Sequence, residues 1–560
     1  MARHIKDLLQ QSVSRNPDGV ALRYKENGEW RTISYRQLEH RSKVAGELLS
    51  ELKLKPGARV GIDMENSSLW PEVYFGTVCS GFAAVPVDPK LGENETMHIL
   101  HHSECQAVFA DSSSYSTIRD IADRLPNLKY LILVGRAGGS DSAGAKMKCL
   151  NYGEETARLA GALEPGKSRF DASEVAEGDL ASIIYTSGTT GVQKGAMLSH
   201  RNFCSNVESC EGIIDIATSD NFMLVLPLHH VFAFTTNLLL PVAAASEISL
   251  VENLRTVGEN IREVSPTVLI AVPLLLEKVY NKIWRGLQSK KLAYAMFKAG
   301  VKAPVVKGIR QNLGGKLRLV ISGGAPAGER LIRGFMDLGI PILEGYGLTE
   351  TAPVLTLNPP DSPRPGTVGI ALPNVEIKIA EANEQGIGEI AARGENIMLG
   401  YLKNEEATAE IMDGEFLLTG DLGFIDPDGY VTITGRKKSL IVNREGKNIY
   451  PEEVEACINS SELVLESLVL GIRTPGETGE KVGLIVVPDQ EALAERMKHS
   501  RKSMDYSEIE TLLRAEVKKK AAELAPYKRP RRIQVRMEEF EKTSTKKIKR
   551  YLYEIEALDV

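Results

Sequence analysis

At 560 residues the chain exceeds what one compact core accommodates, and two to four domains are expected. Its 43% apolar and 25% charged residues are those of an ordinary soluble globular protein. A net charge of −6 argues against a general nucleic-acid binder, which would be strongly basic.

The first residues, Met1–Leu9, hold no apolar core of signal-peptide length. Trp30–Tyr35 alternates, and Leu38, Val44, Ala45, Leu48 and Leu49 then take helical spacing, so a strand runs into an amphipathic helix. Val60–Asp63, Ala83–Val87, Ala107–Asp111 and Tyr130–Val134 read as short buried strands between helices. That alternation predicts parallel sheets with helices on both faces. Arg136–Lys146 is small and polar and reads as a surface excursion. Val268–Leu276, among the longest apolar runs, is far short of the roughly 20 residues of a membrane span. From about Gly366 the pattern becomes strictly alternating around Val375, Gly388 and Tyr430, with Asp-Gly turns at 413–414 and 428–429, so antiparallel hairpins or a small barrel are expected. A further α+β unit starts after Gly435. Between Glu516 and Arg550 there are 13 Lys/Arg against 5 Asp/Glu, which favours contact with a polyanion; a solvated helix face with a frayed tail has the same composition. The six cysteines are scattered and read as reduced core residues. The cytoplasm is the expected compartment, and peripheral membrane contact is compatible with it.

Five segments carry chemistry. Tyr185–Gly195 follows the apolar run Leu180–Ile184 and joins the hydroxyls of Thr186, Ser187, Thr189 and Thr190 to Gly188, Gly191, Gly195 and Lys194. Such a turn directs backbone N–H groups at phosphate oxygens, and the lysine adds a point charge. It is not a Walker loop, because Gly195 follows the lysine. A polar surface turn would share this composition. Next, Leu343–Thr351 exposes Tyr346 between Gly345 and Gly347, after Glu344, as a platform for a flat base. Thr349 offers a hydroxyl there, and Glu350 a carboxylate suited to Mg²⁺ or simply to a helix start. Asp421, on a tight turn after Thr419-Gly420, could accept two ribose hydroxyls. Gly435–Ile441 is a cationic link, and Lys542–Arg550 holds lysines able to neutralise a reacting phosphate ester. His98, His101, His102 and Cys105 have spacing open to zinc, but no accompanying carboxylate pattern supports it.

In this order and spacing the segments resemble the adenylate-forming superfamily of acyl-CoA synthetases, peptide-synthetase adenylation domains and beetle luciferases. Gly323–Pro326 and Glu395–Asn404 fit as well, and Leu226–Thr235 with Thr349–Val354 looks closest to long-chain fatty acyl-CoA ligases. The resemblance implies an α/β fold. A large N-terminal domain, 1–435, would consist of two stacked α/β subdomains plus a small β-barrel-like one at about 366–435. A small mobile α+β lid would span 436–560. It implies that a fatty or other small carboxylic acid is joined to coenzyme A through acyl-AMP, with ATP and Mg²⁺ as cofactors. The alternatives are transfer to an acyl carrier protein, or a CoA ligase for an aromatic or branched acid.

By the same resemblance, Thr186, Ser187, Gly188, Thr189, Thr190 and Gly191, with Lys194, would grip the β- and γ-phosphates. Glu344, Gly345, Tyr346 and Gly347 would hold adenine, with Gly323, Gly324 and Ala325 on its other face. Thr349 would hold the α-phosphate and Glu350 the Mg²⁺. Asp421 and Arg436 would bind ribose, Lys438 would mark the hinge, and Gly446 would line the pantetheine path. His230 would gate the acyl site, with Phe232 and Phe234 either lining it or filling core. Lys547 would bridge substrate and nucleotide. The terminal motif departs from relatives by placing Lys546 in a glycine slot, so the register could instead make Lys546 the catalytic lysine. Lys528, Arg529, Arg531 and Arg532 would attract the phosphates of coenzyme A.

Overall fold

Two large sheets organise the first three quarters of the chain. In one, eight strands run in the order Gly400–Tyr401, Lys194–Ser199, Leu180–Thr186, Ala83–Val87, Arg59–Asp63, Ala107–Ala110, Tyr130–Leu133, Lys148–Asn151. In the other, nine strands run in the order Ile370–Ala371, Val354–Leu357, Ile342–Gly347, Leu319–Ser322, Val268–Ala271, Asn221–Leu224, Glu247–Leu250, Val20–Glu26, Glu29–Ser34. Both are parallel in the middle and antiparallel at an edge. The central strands are buried end to end, as Ala83–Val87 and Ala107–Ala110 illustrate, which is why they read as continuous apolar runs. One apolar cluster draws on strands of both sheets, uniting Val60, Ile62 and Ala84 with Phe222, Ile248 and Ile270. The expected α/β class and the strand-to-helix passage at residues 29–51 are therefore as observed.

This computed structural model describes all residues except 1, 136–146, 165, 187–192, 474–478, 501–504, 543–547 and 556–560, and the side chains of 330 and 498–500. The excursion at residues 136–146 thus lies outside the described residues.

Local chemistry explains the helices beside the sheets. Ser34 and Gln37 form a capping box that starts helix Tyr35–Glu51. Gly46 of that helix faces Gly76 of helix Leu69–Cys79, where a Cβ on Gly76 would lie 2.7 Å from both Ser42 O and Ala45 Cβ. The two backbones approach this closely because neither glycine carries a side chain. Ser199 and Asn202 likewise cap helix His200–Glu211. Its buried His200 accepts the Ile5 N–H at Nδ1, 3.3 Å away. Burial pulls the His200 imidazole down to about 3.

By backbone contacts the chain divides into two units. One is Met1–Gly188, Val192–Ile377 and Ala392–Leu417; the other is Lys378–Ala391 and Leu418–Val560. In the second, strand Val464–Ile472 pairs antiparallel with Lys481–Pro488, which pairs parallel with Arg532–Val535. Helices Pro451–Asn459 and Tyr506–Ala521 share an apolar cluster with these strands through Val454, Ile458, Leu513 and Val517. The same unit holds the hairpin of Asp421–Ile425 with Val431–Arg436. Among the described residues the cysteines are all free thiols, four of them buried, and no helix is long and apolar enough to cross a membrane.

Candidate active site

The glycine- and hydroxyl-rich loop leaves strand Leu180–Thr186 and returns as strand Lys194–Ser199, with Thr186 opposite Lys194. Ser187, Gly188, Thr189, Thr190 and Gly191 lie outside the described residues. The two flanking strands are held from one side by helix Glu93–His102. His102 Nδ1 lies 2.8 Å from the Tyr185 hydroxyl, and His98 Nε2 lies 3.2 Å from the Gln193 carbonyl. Burial and the neighbouring His98 keep His102 below the usual imidazole range, so it meets Tyr185 as a neutral ring.

From the other side comes the short strand Gly400–Tyr401, paired antiparallel with residues 196–197. This places Tyr401 in contact with both Lys194 and Glu350. The Lys194 ammonium sits 5.1 Å from the Tyr401 ring centroid, and the Tyr401 hydroxyl donates to Glu350 Oε1 at 2.6 Å. Burial and the adjacent Glu350 carboxylate raise the Tyr401 phenol far above its usual range, which keeps it a donor. Two backbone bonds tie the segment down: Met398 N–H to the Glu350 carbonyl at 2.9 Å, and Leu402 N–H to the Gly195 carbonyl at 2.8 Å. One five-residue stretch thereby fixes both the exit of the loop and the turn that carries Glu350. Tyr401 lies within Glu395–Asn404, whose family pattern is visible in the sequence. Its contact with Glu350 is set by tertiary pairing, and the sequence carries no separate signal for it.

Strand Ile342–Gly347 presents Glu344, Gly345, Tyr346 and Gly347 in succession. Glu344 is buried and accepts the Ala327 N–H at 3.2 Å; burial pushes its carboxyl up to about 7. Tyr346 is half-buried and lies opposite Thr356. Gly347 is held against the chain that follows it, since a Cβ there would lie 1.8 Å from the Pro353 carbonyl oxygen. Thr349 and Glu350 are half-buried on the short turn Thr349–Thr351. At the end of the neighbouring strand, Gly323 is buried against the Phe232 ring, while Gly324 and Ala325 are exposed. Leu319–Ser322 and Ile342–Gly347 are parallel neighbours with Ser322 opposite Glu344, so Gly323–Ala325 follow directly from that level of the sheet.

His229 and His230 end the loop before the helical turn Val231–Phe234. Their ring centroids are 4.2 Å apart, and His229 Nε2 lies 3.5 Å from Asp88 Oδ2. Asp88, His229 and His230 bring one oxygen and two nitrogens within 4.8 Å of one another, a donor set for a borderline divalent cation. Glu350, the carboxylate suited to a hard cation such as Mg²⁺, is not in this set. Phe234 is 1% exposed and packs against Trp70, Tyr74 and Phe203, so it fills core. Phe232 is the half-buried ring that reaches Gly323. The π-helical stretch Thr235–Leu239 that follows buries Asn237 completely, with neither side-chain polar atom hydrogen-bonded to protein. Nothing in the sequence pattern singles out this orphaned amide.

In the second unit Asp421 is 4% exposed and paired with Arg436 across the hairpin, Oδ1 to Nε at 2.8 Å. The adjoining Lys437 bonds Glu389 Oε2 at 2.7 Å, and Glu389 Oε1 accepts the Gly420 N–H at 2.9 Å. Asp421 lies within strand Phe416–Ile425 rather than on the tight turn expected from the sequence, and Gly420 before it is braced through Glu389 to the start of the cationic link. Lys438 is exposed. Gly446 has φ +72° in a tight loop where Asn443 Oδ1 accepts the N–H groups of Glu445 and Lys447, a conformation that favours glycine. Lys546 and Lys547 lie outside the described residues, but Lys542 and Ile548 form an antiparallel bridge on either side of them. Of the four basic residues expected to meet coenzyme A, two serve the fold. Lys528 pairs with Glu453 at 2.6 Å, and Arg529 donates to the Leu524 and Ala522 carbonyls.

Comparison with known proteins bears on the family and the fold. The sequence profile of the family described as AMP-binding enzyme matches residues 9–402, and that of the AMP-binding enzyme C-terminal domain matches residues 453–547. A long-chain-fatty-acid–CoA ligase of Escherichia coli O157:H7 is 30% identical over 514 residues, covering 87% of this chain and 86% of that protein. ATP-bound MatB from Rhodopseudomonas palustris superposes with TM-score 0.77 at 26% identity, covering 99% of this chain and 98% of that one. The anthranilate CoA ligase AuaEII, in complex with anthranoyl-AMP, shares the fold with TM-score 0.79 at 23% identity, covering 98% and 96%.

Proposed function

The chain belongs to the AMP-binding enzymes, and from that membership we propose that it ligates a medium- or long-chain fatty acid to coenzyme A through an acyl-adenylate. The observation that carries the reading is the Lys194–Tyr401–Glu350 cluster: a cation and a carboxylate joined through one phenol where a phosphate-type loop ends. The choice of acid rests on the ligases of long-chain fatty acids that match most of the chain.

In the first step a carboxylate oxygen of the acid attacks the α-phosphorus of ATP. The new O–P bond replaces the bond to pyrophosphate, which leaves with its electron pair. An anion must approach a polyanion, so charge neutralisation and positioning are the main tasks. Lys194 and residues 186–191 would hold the β- and γ-phosphates, and Thr349 the α-phosphate. Tyr346 would stack on adenine above the Gly323–Ala325 turn, and Asp421, steadied by Arg436, would take the ribose hydroxyls. Glu350, oriented by Tyr401, would hold Mg²⁺, which supplies positive charge to the phosphate oxygens. Lys547 would bridge the acid and the nucleotide. In the second step the sulfur of coenzyme A attacks the acyl carbonyl carbon, its proton passes to solvent, and the C–O bond to AMP breaks. His230 would gate the path to the carbonyl, and Gly446 would let the loop lie against pantetheine. Lys438 would be the hinge, with a body up to Gly435 and a lid beyond it.

Pyrophosphate release across a panel of fatty, branched and aromatic acids, with coenzyme A, acyl carrier protein or no acceptor, tests the proposal. ATP-dependent release with long-chain acids, and thioester formed on coenzyme A, is the expected result. Release with none of the acids would reject the ligase reading. Release confined to aromatic acids, or thioester formed on carrier protein alone, would reject the proposed substrate or acceptor.

A further inference from the structure

Asp88 follows strand Ala83–Val87 of the eight-stranded sheet, and His229 and His230 close the loop after strand Asn221–Leu224 of the nine-stranded one. Each strand is parallel to its neighbours, so the three residues stand beyond carboxyl ends, where α/β sheets present ligands. The histidine loop is clamped by Asn66, whose amide donates to the Leu226 carbonyl at 2.8 Å and accepts the Leu228 N–H at 2.9 Å. Asp88 is oriented by the Lys90 N–H, which its Oδ1 accepts at 3.0 Å. Its Oδ2 lies 3.5 Å from His229 Nε2, and the two side chains are 8% and 9% exposed. His229 Nε2 itself is buried and makes no hydrogen bond. A buried nitrogen in that condition is costly unless another partner satisfies it.

Tetrahedral zinc holds nitrogen and oxygen at about 2.0–2.1 Å, which sets its ligand atoms roughly 3.4 Å apart. The His229–Asp88 pair already has nearly that spacing, and a His230 nitrogen lies within 4.8 Å of both. An ion pair with Asp88 would need one imidazole and would make it cationic. A second ring with its centroid 4.2 Å away is a better companion for two neutral imidazoles that share a metal. Two nitrogens and one oxygen favour zinc, cobalt or nickel over magnesium, and three protein ligands leave a fourth position for water. We propose that Asp88, His229 and His230 bind a transition-metal dication of the zinc class, and that the bound ion, by holding His230, reversibly slows the enzyme. The second half rests on the ligase reading, in which His230 gates the path to the acyl carbonyl.

Zinc titration of the chelator-stripped full-length protein tests the site without ATP or acid, so its failure is distinct from failure of the ligase reading. In competition with a chromophoric chelator and in millimolar Mg²⁺, the parent is expected to bind one equivalent. Affinity should fall at least tenfold in Asp88→Asn and in His229→Gln, whose zinc-free unfolding midpoints should match the parent's. Zinc should raise the midpoint of the parent alone. Cobalt should give the visible absorption of a tetrahedral site without the near-ultraviolet band that a thiolate ligand adds. Pyrophosphate exchange by the parent should drop at least tenfold at saturating zinc and return with the chelator, while His229→Gln is unaffected by the same zinc. No zinc retained against Mg²⁺, equal affinity in the parent and both variants, or a thiolate band would overturn the site. Zinc bound with exchange unchanged, or inhibition equally deep in His229→Gln, would overturn the control of His230.

Discussion

Tyr401 decides how Glu350 is presented. Its hydroxyl donates to a carboxylate, and such charge-assisted bonds contribute roughly 1.5–3 kcal/mol. Tyr401→Phe is therefore expected to slow pyrophosphate exchange by about one to two orders of magnitude, with a higher Mg²⁺ requirement. Exchange at the parent rate and Mg²⁺ dependence would remove Tyr401 from the site. His200 makes a second residue-scale prediction. Burial holds its folded pKa at about 3, against an ordinary value of 6.5. As pH falls below 6.5 the unfolded chain takes up the proton and the folded chain does not, so stability is lost, by about 2 kcal/mol at pH 5. Asp63, Glu72 and Glu344 act oppositely. Burial raises each to about 7, so their contribution is full at low pH and is lost as pH rises through 7. His200→Gln should then lose less stability than the parent between pH 7 and pH 5 in urea titrations; parallel pH profiles would contradict the assignment. Lys194, Glu350, Tyr346 and Asp421 stand out in the sequence through the glycines and hydroxyls beside them, although Tyr346 and Asp421 lie within strands Ile342–Gly347 and Phe416–Ile425 rather than on turns. Tyr401's partner and the neutral state of His200 do not stand out there, since both arise from residues distant in the chain meeting across a packed interface.

At the level of elements, two helical glycines with the same sequence appearance have opposite consequences. Gly76 meets the backbone of the neighbouring helix, so Gly76→Ala forces the pair apart and should cost about 1–3 kcal/mol in a denaturation experiment. Gly286 lies in helix Pro273–Ser289 with nothing within 4 Å of an added Cβ, and Gly286→Ala should stabilise by about 0.5–1 kcal/mol. Equal signs for the two would mean that the helix crossing does not set the role of Gly76. The buried strands at Arg59–Asp63, Ala83–Val87 and Ala107–Ala110 could be placed from apolar runs alone. Their order could not, nor could the two-residue strand Gly400–Tyr401 or the π-helical stretch at Thr235–Leu239, because pairing partners and an extra helical residue leave no local periodicity.

For the whole molecule, the family profiles match a long segment, 9–402, and a short one, 453–547. If Lys547 acts only in adenylation, Lys547→Ala should abolish pyrophosphate exchange and still convert supplied acyl-AMP to the thioester with coenzyme A. Equal loss of both half-reactions would point to a folding defect or to Lys546. The α/β class and the change of pattern after residue 366 are visible from hydrophobic periodicity. The contact division is not, because it passes within strands: residues 378–391 group with 418–560 although 392–417 do not.

The bridge between Lys542 and Ile548 limits what the terminal lysine can do by itself. Ile548 packs against Phe540, Leu468 and Ile485, and Lys542 is anchored to Glu466 at 2.7 Å. Lys547 is covalently next to Ile548, a tether of about 3.8 Å between α-carbons. On so short a leash, the ammonium's travel is set by where Ile548 goes. A reach longer than the side chain itself requires its whole mount to turn, and the catalytic rate would then inherit the viscosity of the solvent through which that mount rotates.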